Sequence, residues 1–474
     1  MTIDDAAPDA AVASRRSLHA TTGAVALDAP GQNTPARGTP ALGWLSTDAV
    51  TAAAPAPSSP EAADLLAAER VPGAVRPATV LPITLVALVV VAYVTATLLW
   101  PLHAVRPELA AVQVQPASAP AATPVWPGTG TASVGVDGIG GPLSSATDIA
   151  SIASITKVVT ALLILDELPL ALGEQGPSYS FTYADQNEYW QYIYGGQSAL
   201  QVPVGGSLTE YQLLQGILIG SANNYADRLA STIWPTDEVF AAAATAYLAA
   251  HGLTGITIAD PSGFDPRNTS DAGSLVPLAR KALANPVIAE IVAIPAVELP
   301  GAGLVQNTNQ LLADPGVVGV KTGTLDTYTL LAVKDITVGE TPVRLYATVL
   351  AQPTSDERFA ATRDLFAQLE SEVQEVTAVT AGTTAGRVTT AWGETVDVIA
   401  TGDAAVVLWN EATPVVTIDL NLGDKVEKGD AAGTLTVTGP LDSRSVELRL
   451  ADDVEGPSPW WRITHPVELF GLDR

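Results

Sequence analysis

The sequence contains no cysteine, so thiol nucleophiles, thiolate metal sites and disulfide staples are all excluded. Histidine is scarce: His19, His103, His251 and His465 are scattered with no HxxxH or HxH pair. That leaves a metal site without a ligand pattern and a serine-histidine-acid triad without support. No metal and no cofactor are expected. Positive charge is also thin. Lys and Arg number 23 against 50 Asp and Glu, a net charge of −27, which would repel a phosphate backbone, so no nucleic-acid partner is expected. The rarest cation is lysine, found only at 157, 281, 321, 334, 425 and 428. Two of those six stand inside the motifs described below.

Charge is missing altogether from Ala78 to Trp100. As a helix this run would be ~34 Å long, enough to cross a bilayer, and it is apolar on every side. Residues 78–100 are therefore expected to form a transmembrane helix, with Pro82 in its tolerant first turns. Residues 1–77 are rich in Ala, Pro, Ser, Thr and Asp with one aromatic, Trp44. This composition predicts a disordered tail, placed on the cytoplasmic side of an uncleaved single-pass anchor. Residues 101–127 read as a Pro/Ala linker that spaces the remainder from the membrane.

From residue 128 to 373 strands and helices mix. Strands are expected at Thr131–Val136, Val317–Lys321, Tyr328–Val333 and Val343–Ala351. Helices are expected at Ser154–Leu168, Leu208–Ile219, Asn223–Ile233 and Glu357–Val373. Strands at both ends with helices between predict one sheet closed from both ends of the domain, carrying a helical insert. Residues 374–474 change texture to short alternating runs broken by Gly and Asp, the pattern of a small all-β domain with a tail. Trp460-Trp461-Arg462 near its end is read as packing against its own domain in preference to a membrane surface. Tyr179–Tyr194, with five tyrosines, Phe181 and Trp190, is likewise read as packing in preference to a substrate wall.

Three short words carry the chemistry: Ser154-Ile155-Thr156-Lys157, Ser221-Ala222-Asn223 and Lys321-Thr322-Gly323. They describe a serine nucleophile with a lysine base, completed by a second serine and a second lysine. Ser154 and Lys157, three apart, share a helix face. The serine sits near a helix N-terminus, which favours developing negative charge. A lysine acts as base only when burial or a neighbouring cation disfavours its charged form, and Lys321 is the expected cationic neighbour. The words are separated by 67 residues (154 to 221) and 100 residues (221 to 321), so they must converge from different elements.

At these residues the chain resembles the low-molecular-weight penicillin-binding proteins, the serine D-alanyl-D-alanine carboxypeptidases of the serine β-lactamase-like superfamily. The resemblance extends to Leu218-Ile219-Gly220 before the second word, to Asp260-Pro261-Ser262-Gly263-Phe264-Asp265-Pro266, to Asn307-Thr308-Asn309 and to Gly423–Asp430. It implies an α/β (α+β) catalytic domain, an antiparallel sheet flanked by helices with a helical lobe. It further implies an extracellular enzyme at the cell membrane that trims peptidoglycan stem peptides ending in D-Ala-D-Ala and is inhibited by β-lactams. By the same resemblance Ser154 is the nucleophile, Lys157 its base, and Ser221, held by Lys157 and Lys321, the proton relay. Asn223 binds substrate backbone, and Lys321, Thr322, Gly323 and Thr324 form the edge that holds the terminal carboxylate. The backbone N–H groups of Ser154 and Thr324 would form an oxyanion hole. The segment Leu325–Thr329 departs from the family by lacking an Ala-Gly pair.

A β-lactamase shares the three words, but its class A form needs a deacylating glutamate after the second word. The only glutamate between Asp227 and Glu290 is Glu238, in an unsuitable context. A wall-binding or β-lactam-sensing module without turnover, and an endopeptidase acting on cross-links, are the other readings of the same residues.

Overall fold

The computed structural model describes residues 77–423 and 426–472. The expected tail therefore lies outside the described residues, apart from Pro77, as do Asp424 and Lys425. The uncharged run forms helix α1, Pro77–Leu99. Its apolar side chains face outward, and within Val80–Leu99 only 6% of the best window is buried at a mean hydropathy of 2.3. A soluble core helix would bury that surface.

The region from Thr131 to Gln352 is built on a five-stranded antiparallel sheet. Its strand order is Val317–Thr324, Tyr328–Val338, Thr341–Gln352, Thr131–Val136 and Ile139–Ser144. The first and last parts of the region thus meet edge to edge, as the strand–helix–strand texture implies. Alternation along the middle strands serves two cores. Leu331 and Val333 face a helical cluster, while Leu330 and Ala332 face a second cluster that includes Phe359, Leu365, Phe366 and Leu369 of a closing helix. Residues 150–310 supply the helical side.

Within that side, helix α2 (Thr156–Glu167) is buried at every position from Thr156 to Leu165, with Thr156, Lys157 and Thr160 the polar residues among them. Helix α3 spans Tyr183–Tyr194, α4 Glu210–Leu218, α5 Asn223–Ala230 and α6 Asp237–Ala250. Thr209 and Gln212 form a capping box at the start of α4, which fixes where it begins. Helices α7 (Leu275–Leu283) and α8 (Pro286–Val292) follow, and α9, Ser355–Glu372, covers the other sheet face.

Two expectations change. The aromatic stretch 179–194 divides: Phe181 is buried in the core with Tyr179 against it, but α3 buries no residue at all, and Tyr183 and Tyr194 are exposed. Tyr192 is half-buried and bonds Asp227 of α5, while Trp190 packs with Tyr189 and Tyr194 of its own helix. The 101–127 segment is not a free spacer. Glu108–Ala111 pairs antiparallel with Thr384–Thr389, and Ala117 and Ala119 donate backbone bonds to Ala378 and Ala412. An open sheet edge offers unpaired backbone groups, and Leu109 and Val114 add apolar contacts there. Strand Glu108–Ala111 begins a six-stranded antiparallel sheet, continuing through Thr384–Thr389, Thr395–Ala400, Ser443–Leu450, Ala431–Thr438 and Val415–Leu420. Two short helices end the described chain, α10 (Pro459–Thr464) and α11 (Pro466–Leu469).

Candidate active site

Ser154 lies in a 3-10 turn, Ala153–Ile155, that feeds directly into α2. One turn later Lys157 is fully buried, and its Nζ stands 3.0 Å from Ser154 Oγ. The same amine donates to Asn223 Oδ1 at 2.6 Å and to the carbonyl of Ser262. Burial lowers its pKa from 10.5 to about 7, against the opposing pull of the Asp227 and Asp260 carboxylates. About half the lysines are then neutral at pH 7. A neutral amine keeps two N–H groups. Those can remain on Asn223 and Ser262 while the lone pair turns to the serine hydroxyl.

The loop that supplies the Ser262 carbonyl is organised by Asp260. Its carboxylate accepts from the backbone N–H groups of Ser262 (3.0 Å), Gly263 and Asp265 (2.8 Å), and from Asn268 Nδ2 (3.1 Å). Thr160 of α2 donates to Pro261 O at 2.7 Å. Gly263 is the closure point. It has φ +81°, and a Cβ there would lie 2.0 Å from Ala153 O. The Asp-Pro-Ser-Gly-Phe-Asp-Pro stretch is thus a bracket pressed against the Ala153–Ile155 turn.

The second word forms the turn between α4 and α5. Ser221 is buried, with φ +59°, and Ala153 beside Ser154 has φ +45°. A non-glycine residue in this region costs roughly 1–3 kcal/mol and persists only when the surroundings over-determine it. Asn223 starts α5 and bridges Lys157 to Gln197, donating to Gln197 Oε1 at 2.7 Å. The third word ends the edge strand Val317–Thr324. There Lys321 is fully buried and its Nζ contacts Thr322 O at 3.1 Å and Thr308 Oγ1 at 3.5 Å. Thr322 Oγ1 donates to Thr308 Oγ1 at 2.7 Å, and Thr308 N donates to Ile219 O at 3.2 Å, which links the third word to the second. Gly323 links it to the first, because a Cβ there would lie 2.6 Å from Ile152 O and 3.1 Å from Ala153 Cβ.

Two details differ from expectation. Ser221 is a partner of neither lysine: Lys157 is engaged by Ser154, Asn223 and Ser262, and Lys321 by Thr308 and Thr322. The two lysines interact, but burial is the main cause of the lowered pKa of Lys157, and it is Lys321 that is driven well below its usual value, by burial and then by Lys157 and Arg358. When two amines share a dry site, the one without a carboxylate nearby yields its proton first.

Two further residues escaped the sequence reading. Asp227 lies one turn after Asn223 on α5, and burial raises its carboxyl to about 7 despite a 2.6 Å bond from Tyr192. The i, i+4 spacing from Asn223 was the available signal. Arg358 of α9 is buried and donates to Gly323 O (2.9 Å) and Thr324 Oγ1 (3.2 Å), holding the end of the edge strand. Burial brings it down to about 10, so it stays charged near neutrality. Among the described residues no group of three His, Asp or Glu side chains is placed to hold a metal ion.

A test follows from Asp227. Its carboxylate favours the ammonium form of Lys157, so Asp227→Asn should shift the acid limb of the acylation–pH profile down by about one unit. Stopped-flow acylation between pH 5 and 9 reads the midpoint, and an unmoved midpoint would refute the coupling.

A serine hydroxyl 3.0 Å from a buried lysine amine, set where a helical lobe meets the edge of an antiparallel sheet, is the arrangement that serine-lysine hydrolysis requires. The family model described as D-alanyl-D-alanine carboxypeptidase (Peptidase S11) matches residues 144–353. D-alanyl-D-alanine carboxypeptidase DacB2 of Mycobacterium tuberculosis (strain ATCC 25618 / H37Rv) is 36% identical over 178 residues, 36% of this chain and 57% of that protein. The match therefore spans a little over half the length of the curated relative. A solved D-alanyl-D-alanine carboxypeptidase from Mycobacterium tuberculosis H37Rv is 29% identical, with 55% of this chain and 96% of that chain covered at TM-score 0.44. A peptidoglycan synthesis regulatory factor (PBP3) from Streptococcus pneumoniae is 20% identical, with 68% and 98% covered at TM-score 0.47. Residues 144–353 are thus similar to the D-alanyl-D-alanine carboxypeptidase family over a little under half of the chain.

Proposed function

We propose that the protein is a membrane-anchored serine D-alanyl-D-alanine carboxypeptidase acting on peptidoglycan stem peptides outside the cell. Residues 128–373 are its catalytic unit and 78–100 its anchor. The observation that carries this reading is the 3.0 Å pairing of Ser154 Oγ with an amine held near pKa 7. Ser154 Oγ attacks the carbonyl of the penultimate D-alanine as its proton passes to Lys157. The C–N bond then breaks, and the leaving amine takes a proton relayed through Ser221. Water hydrolyses the resulting ester and frees Ser154. Ser154 N–H and Thr324 N–H stabilise the oxyanion, and Asn223 orients the substrate backbone.

Specificity for a free C-terminus follows from Lys321. A buried amine with no anionic partner gains most from an arriving carboxylate, which restores its charge in place. Thr322 and Thr324 add hydroxyl donors, and Gly323 keeps the strand against the nucleophile turn. This carboxylate clamp favours carboxypeptidase over endopeptidase action. Glu238, fully exposed at the first turn of α6, is poorly suited to activate a deacylating water, so β-lactams should act as slowly released acylating inhibitors.

The experiment is D-alanine release from a peptide ending in D-Ala-D-Ala, alongside trapping with labelled penicillin and mapping of the modified peptide. Wild type should release D-alanine and carry the label on Ser154, and Ser154→Ala should lose both. Labelling without D-alanine release would favour a sensor, and rapid penicillin turnover a β-lactamase.

A further inference from the structure

The C-terminal helices do not end free. Tyr93 of α1 donates its hydroxyl to Ile463 O at 2.6 Å. Arg462 reaches the carbonyls of Leu98 (3.3 Å) and Trp100 (2.8 Å), where α1 ends. Trp100 meets Phe470 edge to face at 4.7 Å. On its other side Trp461 contacts Trp392 of the β region at 5.9 Å and stacks on His465 at 4.9 Å. The tail therefore ties the β region to the exit of the apolar helix.

We propose that α10 and α11 form an interfacial foot, seated in the headgroup layer of the bilayer around the exit of α1. This rests on reading α1 as a membrane span. The 20 residues of Val80–Leu99 measure ~30 Å, the thickness of the hydrocarbon core, so groups on Leu98–Trp100 lie at its boundary. Tyr93 lies six residues before Leu99, about 9 Å deeper along the helix, and interfacial helices sink roughly 5–10 Å into that boundary. The foot's chemistry suits the layer. Arg462 satisfies orphan carbonyls at the helix C-terminus, a favourable end for a cation, and stands beside lipid phosphates. Trp460, Val467 and Leu472 are 73%, 49% and 72% exposed next to the span. Tryptophan is enriched at this depth because its ring is apolar and its N–H polar. With α1, the foot gives a second point of attachment, which fixes the orientation of the β region over the membrane.

The absence of cysteine permits a direct test on the full chain in phospholipid vesicles. Single variants Trp460→Cys, Leu88→Cys and Val239→Cys are labelled with an environment-sensitive fluorophore and exposed to lipids carrying a quencher at shallow or deep positions. The label at 460 should be quenched, about twofold more by the shallow quencher than by the deep one, and the label at 88 more by the deep one. The label at 239, on exposed Val239 of α6, should be unaffected. A label at 460 that behaves like the one at 239, while 88 is quenched, overturns the foot and leaves the span standing. An unquenched label at 88 overturns the span and the foot with it.

Discussion

Lys157→Ala should leave a folded protein that acylates at least ~10³-fold more slowly, within the range measured for removing a general base. The loss follows from what else is in reach of Ser154. Of the described histidines, His103 follows α1, His251 ends α6 with its ring on Tyr247 O, and His465 lies between α10 and α11. Lys321 holds the adjacent strand and is engaged by Thr308 and Thr322. Nothing replaces the amine. The substitution also strips a donor from Asn223 Oδ1 and from the Ser262 carbonyl, at about 1–3 kcal/mol for each acceptor left dry. Melting temperature should fall accordingly. In wild type the acylation rate should rise with pH through about 7 and level off above it, because the active form is the neutral amine. Acylation of Lys157→Ala within tenfold of wild type would show that another group takes the proton.

The second large effect is expected from a residue outside the three words. Gly263→Ala would place a Cβ 2.0 Å from Ala153 O at a backbone φ of +81°. Relief demands that either the Asp260–Asn268 bracket or the Ala153–Ile155 turn move. Left-handed backbone costs a side-chain-bearing residue about 1–2 kcal/mol, and overpacking adds about 1–3 kcal/mol. We expect roughly 3 kcal/mol lost from stability and a fall in acylation rate of ~10²-fold, the cost of displacing a reacting group by about 1 Å. Urea unfolding and labelled-penicillin kinetics report the two separately. Unchanged acylation in a destabilised variant would mean that the bracket yields and the nucleophile turn does not.

Much of the site was legible because its residues are bound to local patterns. Ser154 and Lys157 meet through helix spacing alone, and the apolar run of α2 announces the helix that carries them. The sheet strands were legible as well: Thr131–Val136 matches residue for residue, and the others run longer than expected, Val317–Thr324 by three residues. Asp227 was missed because a helix face shows no preference for one of several acids until a partner such as Tyr192 is packed against it. Arg358 looked like an ordinary polar position on α9, and only the fold shows it turned inward onto the Gly323–Thr324 edge. The 101–127 segment was read from Pro and Ala content as a spacer. Composition reports flexibility in isolation and says nothing of an unpaired sheet edge waiting elsewhere.

By itself the sequence determined which groups are available for the proposed chemistry and attachment: a serine with lysines where thiols and paired histidines are lacking, and one uncharged stretch long enough for a bilayer. Those follow from residue inventory and short-range periodicity, which no folding can alter. Tertiary structure decided the proton affinity of Lys157, the engagement of Lys321 away from Ser221, and the clasp of Arg462 on Trp100, residues 362 apart in the chain. The reason is physical. Burial, and hydrogen bonds between segments far apart, exist only once the chain has closed on itself, and those two effects set both a buried amine's charge and a tail's resting place.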